Sequence, residues 1–483
     1  MSLTKKQVFL FGGQMTAGER PCRPLEKWGK RARTRRHPTR KERKKMLKVL
    51  KFGGSSMADA VQFAKVKAIV EADPMRCCVV VSAAGKRYKS DHKVTDLLYL
   101  CHAHLKYGVS CDGIFDMIRQ RYLEIRDELG LKTDLESEFA ELRKKMDKGI
   151  SQDELVSRGE YFAARLMADY LGFAFVDAAE WLVFNLDGTV NEEVSYQNLR
   201  CAAAGRKIVI PGFYGAMPDG TIKTFTRGGS DITGAHAAAA LDAAVYENWT
   251  DVSGFLMADP KIVKDPLPIE RITYGELREL SYIGAQVLHE GTIFPVRKKG
   301  IPLNVRNTNQ PDHPGTMIQE TFDDEGEQQH GLITGIAGRK NYTAISVIKV
   351  GLTSEVGLLR HLLEIVEKYN VSVEYLPSGI DYVSLVVEAE DVQACLYQLL
   401  GELEREIRPD SIQVVENLAV LAAVGRRMAF TPGISGKIFG ALGAAGINVR
   451  MIMQGLAELN MLIGVEDKDF DNAVRVLYDS FMK

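Results

Sequence analysis

Two glycine pairs, each with a cation just before it and hydroxyls just after it, are the stretches of this sequence fitted for chemistry. In Val49-Leu-Lys-Phe-Gly-Gly-Ser-Ser56 a short apolar strand, Leu47 to Phe52, carries Lys51 near its end and runs into Gly53, Gly54, Ser55 and Ser56, with a helical pattern from Ala58. Glycines let the backbone approach an anion, and the first turn of a following helix offers unpaired N–H groups and a positive dipole end. That is a phosphate-handling arrangement, with Lys51 as a point charge. The second pair lies in Thr226-Arg-Gly-Gly-Ser-Asp231, before an alanine-rich helix, Ile232 to Leu241. Here Arg227 presents a planar fork suited to a carboxylate, and Ser230 and Asp231 sit at the helix start. The two loops would hold two different reactants.

The elements between them must supply a scaffold. Cys77 to Ser82 is a short β-branched run that reads as a buried parallel strand, so strand, helix, strand opens a doubly wound α/β sheet with Ser82 at a carboxyl edge, where such sheets place ligands. Thr95 begins the next helix and reads on local grounds as its N-cap. Ser151-Gln-Asp-Glu154 has the form of a capping box, and Ser157-Arg-Gly-Glu160 follows in the same helix. A glycine inside a helix costs about 1 kcal/mol relative to alanine, which points to something approaching the backbone there. Phe173 to Asp177, Lys207 to Pro211 and the strand ending in Thr250-Asp251 continue the α/β rhythm.

Composition narrows the class. The chain has 483 residues, 46% hydrophobic and 26% charged, enough for two to four domains of a soluble globular enzyme. Seven cysteines, at 22, 77, 78, 101, 111, 201 and 395, show no C-x-x-C spacing and read as reduced residues of a cytoplasmic protein. No membrane-spanning run and no metal-ligand spacing is present. Residues 1–45 hold fifteen Lys/Arg against three Asp/Glu, a net of +12 in a chain of −1 overall, so the remainder carries −13. We expect this basic leader to be disordered or non-native, with Met46 as the true start, rather than a nucleic-acid-binding arm or a transit peptide. Removing residues 2–45 is expected to leave activity unchanged, and a large loss in a steady-state assay would overturn that expectation.

Taken in order, Lys51-Phe-Gly-Gly-Ser-Ser56, Val81-Ser-Ala83, Arg158-Gly-Glu160, Arg227-Gly-Gly-Ser-Asp231, Thr250-Asp-Val252 and Val287-Leu-His289 resemble the aspartokinases of the amino-acid-kinase superfamily, over essentially everything after Met46. There is no P-loop and no protein-kinase H-R-D or D-F-G set. The resemblance implies transfer of the γ-phosphoryl group of ATP, as its Mg2+ complex, to the β-carboxylate of L-aspartate. It casts Lys51 as the phosphoryl-stabilising cation and Asp231 as the organiser of Lys51 and the metal. Gly53, Gly54, Ser55, Thr250, Asp251 and Lys261 then meet the nucleotide. Arg227 grips the substrate α-carboxylate and Glu160 its α-amino group, with Ser82, Thr95 and Ser230 nearby. This chain departs from the pattern at Leu256-Met-Ala-Asp-Pro-Lys261, where relatives carry a T-T-D-P-R-like run, and at Gln286, where many carry lysine. Lys261 replaces the arginine in charge, and Lys298 or Lys299 is the candidate for the other cation. A catalytically inert amino-acid sensor that keeps the fold is the rival reading, and a glutamate-specific kinase a narrower one.

The catalytic domain is expected over 46–320 and a linker over 321–330. Beyond it an internal repeat with an offset of 76 residues places Gly357 before an apolar helix and Gly433 before another. Each unit reads βαββ, at roughly 340–410 and 415–483 and interleaved, and the pair resembles the two ACT domains of monofunctional aspartokinases. That implies a homodimer or dimer of dimers and an amino-acid effector, lysine first and threonine second. Ser354, Leu358, Val373, Glu374 and Ser378 are the candidate effector contacts, because Ser372-Val-Glu374 resembles the S-V-D of lysine-sensitive relatives while Pro377-Ser-Gly-Ile-Asp381 departs from them.

Overall fold

Apolar residues run with little interruption along Lys48–Phe52 (β1), Arg76–Val81 (β2) and Ile208–Pro211 (β4), as strands buried on both faces require. The computed structural model describes residues 47–226, 228–284, 288, 290–322, 332–426, 428–455 and 459–482. The basic leader, Arg227, Gln286, Val287, His289 and most of the acidic linker lie outside the described residues.

The strands join Ala174–Phe175 (β3), Val245–Thr250 (β7), Arg271–Thr273 (β10), Leu303–Asn307 (β11) and Thr316–Gln319 (β12) in an eight-stranded sheet of order β10-β12-β11-β7-β1-β2-β4-β3. Only the β11–β12 pair in it is antiparallel. Two small hairpins, Tyr214–Ala216 (β5) with Ile222–Thr224 (β6) and Phe255–Leu256 (β8) with Pro268–Ile269 (β9), stand apart from it.

Helices cover both faces. Ala60–Glu71 (α1), Val94–Lys106 (α2), Asp112–Glu128 (α3), Leu135–Asp147 (α4) and Gln152–Leu171 (α5) enclose one core around Leu50, Phe52, Val79 and Trp249. Ala178–Trp181 (α6), Glu192–Ala202 (α7), Gly229–Ala240 (α8), Tyr274–Tyr282 (α9) and Glu290–Lys298 (α10) belong to the other, around Val49, Val80 and Tyr246. The small residues of α8 let it lie against the sheet. A Cβ on Gly234 would come within 2.8 Å of the Tyr246 ring.

The second sheet is wholly antiparallel, in the order β14-β13-β15-β17-β16. Its two long strands, Gly335–Ile348 (β13) and Ser411–Val424 (β15), pair along most of their length. Tyr382–Glu388 (β14) adds to one end of β13, and Asn460–Glu466 (β17), with Met451–Met453 (β16) beyond it, adds to the opposite end of β15. Leu358–Lys368 (α11) and Leu396–Ile407 (α13), with the short Ala389–Gln393 (α12), pack one part of it; Ile434–Ala444 (α14) and Phe470–Met482 (α15) pack the other. Each repeat therefore carries a second helix that the βαββ reading lacks. No helix among the described residues is long and apolar enough to cross a membrane.

Candidate active site

Lys51, one residue from the end of β1, has Val80 and Asn248 as its register partners on β2 and β7. Strand alternation puts its side chain on the α8 face, where it is 7% exposed and its Nζ lies 2.6 Å from Asp231 Oδ1. Asp231 is in the first turn of α8, and Asn248 Nδ2 donates to the same carboxylate oxygen at 3.0 Å. Tyr246 O–H donates to the Asp231 carbonyl at 3.0 Å, fixing the helix start on the sheet. The two glycine loops, 175 residues apart at Gly53 and Gly228, thus meet through one ion pair, with the lysine buried and the aspartate half-buried.

The loop after β1 differs from the expected direct entry into a helix. Gly54–Met57 forms one 3-10 turn, and α1 starts only at Ala60, where Asp59 caps it by accepting from Gln62 N–H at 2.9 Å. Gly53 cannot serve as a phosphate donor, because its N–H donates to the Trp249 carbonyl at 3.0 Å and extends the β1–β7 pairing. Gly54 and Ser55 N–H take no backbone partner among the described residues. A second glycine, missed in the sequence, completes this cradle. Gly85 N–H donates to the Gly54 carbonyl at 2.8 Å, and a Cβ on Gly85 would stand 2.5 Å from Gly54 C. Ser56 and Thr308 share a buried hydroxyl hydrogen bond of 2.7 Å that ties the turn to the end of β11.

Glu160 faces the same space from α5 and is buried, not exposed as an ordinary helix-surface glutamate would be. Burial pushes its carboxyl up to about 8, against the pull of the Ala83 amide and the Lys51 ammonium. Its Oε2 and Asn248 Oδ1 are buried without a hydrogen-bond partner among the described residues, as expected of acceptors awaiting a ligand's donors. The helical Gly159 is explained by close packing: a Cβ there would come within 2.8 Å of Ala83 Cβ. The capping box forms by half, since Ser151 accepts from Glu154 N–H while the Glu154 carboxylate goes to Lys145 at 2.7 Å.

Ser82 is half-buried at the end of β2, and its N–H donates to the Phe52 carbonyl. Thr95 is the second residue of α2 and half-buried; Lys93 occupies the cap position, so the N-cap reading of Thr95 falls. Ser230 is buried against Gly212, where a Cβ would come within 2.7 Å of its Oγ. Thr250 ends β7 beside Gly53, its hydroxyl donating to Asp251 at 3.2 Å. Lys261 stands on the loop after β8, exposed, with its backbone N–H on Asp259 Oδ1. Lys298 and Lys299 lie elsewhere. Lys298 pairs with Glu192, and Lys299 with Asp242 beyond the far end of α8, about 16 Å along the helix direction from Asp231 by helical rise. They do not complete the nucleotide clamp.

Of the effector candidates, Glu374 is half-buried and its carboxylate accepts from Tyr282 O–H at 2.8 Å, while Val373 is half-buried and Ser378 exposed beside β14. Ser354 is exposed; Leu358 is buried in the core under α11, so its side chain is not free for a ligand. No strand forms over 370–373, and the chain meets β14 by isolated bridges at Tyr375 and Ser378.

Comparison with known proteins decides what this arrangement is. The profile described as the amino acid kinase family matches residues 46–307, and an ACT domain profile matches 421–481. Aspartokinase 3 of Bacillus subtilis is 35% identical over 456 residues, covering 90% of this chain and 98% of that protein. The chain belongs to the aspartokinases of the amino acid kinase family. This aspartokinase is similar to the crystal structure of Clostridium acetobutylicum aspartate kinase, at 48% identity and a TM-score of 0.84, covering 90% of this chain and all of that one. It is also similar to E. coli aspartokinase III, at 25% identity in two structures. One is in complex with aspartate and ADP (R-state; TM-score 0.69, 90% of this chain covered), the other with lysine and aspartate (T-state; TM-score 0.70, 91% covered), each matched over its full length.

Proposed function

We propose that this aspartate kinase transfers the γ-phosphoryl group of ATP to the β-carboxylate of L-aspartate, forming the P–O bond of β-aspartyl phosphate as the bond to ADP breaks. The observation that carries this reading is the buried Lys51 paired with half-buried Asp231, beside two loop N–H groups, at Gly54 and Ser55, that take no partner among the described residues. Positioning and electrostatics supply most of phosphoryl-transfer catalysis. Lys51 neutralises charge on the transferring group, Gly54 and Ser55 donate to its oxygens, and Asp231 with Asn248 holds the lysine in place. The attacking carboxylate is already ionised, so no strong base is needed. Magnesium enters with the nucleotide phosphates; among the described residues no group of three or more His, Cys, Asp or Glu side chains gathers to hold a metal. Arg227 grips the substrate α-carboxylate, Glu160 its ammonium, and Thr250, Asp251 and Lys261 the nucleotide. Ser82, Thr95 and Ser230 border the substrate. Aspartate-dependent release of ADP tests the assignment, and equal release with glutamate would defeat it.

The effector is lysine. Support comes from the lysine-bound structure of E. coli aspartokinase III and from Glu374, an acid half-buried on the regulatory side whose carboxylate is held by Tyr282 of α9. A lysine ammonium would compete with the Tyr282 hydroxyl for it. Glu374→Ala is expected to raise the lysine concentration for half-inhibition about tenfold or more, the scale of a charged hydrogen bond; an unchanged lysine response removes Glu374 from the site. The enzyme assembles as a homodimer through the regulatory sheet, whose open face carries a groove of about 520 Å³ lined by Ser346, Tyr382, Gln413 and Met451. Tyr382 and Ile452 there are 44% and 54% exposed, apolar surface suited to a second copy of the same face.

A further inference from the structure

The loop carrying Lys261 is built by two parts of the chain. Its own turn is set by Asp259, whose Oδ1 accepts from Lys261 N–H at 2.8 Å and whose carbonyl accepts from Ile262 and Val263 N–H at 2.9 Å. The β8–β9 hairpin closes its base, with Met257 N–H donating to the Leu267 carbonyl at 2.9 Å, and further anchors come from the regulatory region. Arg475 Nε on α15 donates to the Ile262 carbonyl at 2.9 Å, and Tyr478 Oη one turn on accepts from Leu267 N–H at 2.8 Å. Ala258 and Val263 are buried in a hydrophobic cluster with Ile336 of β13, Leu421 of β15 and Leu477 of α15. Between these anchors Lys261 and Lys264 are exposed, line an open cavity of about 560 Å³ with Leu256 and Pro260, and make no ion pair among the described residues.

We propose that Arg475 and Tyr478 are positioning residues for nucleotide binding: the C-terminal helix holds the Asp259–Leu267 loop so that its lysines are presented to the phosphate-bearing substrate. This rests on the reading of Lys261 as a nucleotide contact and extends it to residues outside the 46–307 match, within the stretch matched as an ACT domain. A loop cation binds a polyphosphate well only if its backbone is already ordered, since otherwise binding bears the ordering entropy. Two anchors, one at Ile262 between the two lysines and one at Leu267 after them, supply that order. The described residues proposed to meet aspartate lie at the end of β2 and on α2, α5 and α8, which this helix does not anchor, so the effect falls on one substrate.

Steady-state kinetics on the full chain test it, with Lys261→Ala, Arg475→Ala, Tyr478→Phe and the double variant Arg475→Ala/Tyr478→Phe. Lys261→Ala is expected to raise KM for ATP about tenfold, and the double variant to raise it about three- to tenfold, the scale of one or two hydrogen bonds. KM for aspartate and kcat at saturation should stay within about twofold, and Arg475→Lys should recover part of the loss. Arg475 is exposed, so Arg475→Ala carries the test if the double variant is unstable. An unchanged KM for ATP in Lys261→Ala overturns the nucleotide role of Lys261 and the inference with it. A tenfold rise there with no change in the Arg475 and Tyr478 variants overturns the inference alone, as does a parallel rise in both KM values.

Discussion

Lys51→Ala is expected to lower kcat by at least about a hundredfold, with KM for ATP and aspartate changed much less. Loss of one preorganised donor to developing charge typically costs about 10²–10³ in kcat, and Lys51 is a full charge held in a poorly solvated position. Its Nζ is 2.6 Å from Asp231 and its side chain 9% exposed, so the charge is already oriented before substrate arrives. Removing it leaves Asp231 with the Asn248 amide as its partner, which keeps the carboxylate hydrogen-bonded and the fold intact. Urea unfolding of the variant checks that point. Lys51→Arg keeps the charge but not the shape, since a planar fork does not replace a compact ammonium between Val80 and Asn248, and should restore only part of the rate. A variant within about threefold of wild type would show that the pair is structural.

Glu160→Gln is expected to raise KM for aspartate by about 10²–10³ while making the protein more stable at pH 8. The kinetic half follows from removing one partner of a buried charge pair, at about 3–5 kcal/mol. In the free enzyme the Glu160 carboxyl is pushed up to about 8 by burial, so it is protonated below that pH and ionised above it. In the role proposed for Glu160, only the ionised form pairs with the substrate ammonium. For wild type, kcat/KM for aspartate therefore rises about tenfold per pH unit until about pH 8 and then levels, whereas Glu160→Gln loses that limb. The stability half has a definite sign. The ordinary value is 4.5, so between 4.5 and about 8 the folded state keeps a proton that the unfolded state has released. Stability linked to this group is complete below pH 4.5 and lost as pH rises through 8. Glutamine has nothing to lose, so the melting-temperature difference between variant and wild type should grow from pH 5 to pH 8. A difference that shrinks over that range contradicts the account.

What the sequence disclosed follows from what is local. Lys51, the first glycine pair and Asp231 were legible because a strand end, a glycine turn and a helix start lie within a few residues of one another. Asn248 and Gly85 were not, because their roles depend on the β1–β7 register and on the crossing of two loops, which no local pattern carries. Gly53 looked like a donor for the same reason. Only the paired strand shows that its N–H is spent on Trp249. The repeat was visible through its offset, yet the way β13 and β15 each serve both repeats is a matter of long-range pairing. The lysines at 298 and 299 have the right charge, but they pair with Glu192 and with Asp242 beyond the far end of α8, away from Asp231.

The most direct test of the central claim is to incubate the enzyme with ATP and L-aspartate, trap the acyl phosphate with hydroxylamine, and repeat with L-glutamate and with added L-lysine. The account predicts aspartyl hydroxamate in proportion to enzyme, little or none from glutamate, and suppression by lysine. Absence of hydroxamate from aspartate, with lysine still bound, would contradict it and mark the chain as an amino-acid sensor that has kept the kinase fold.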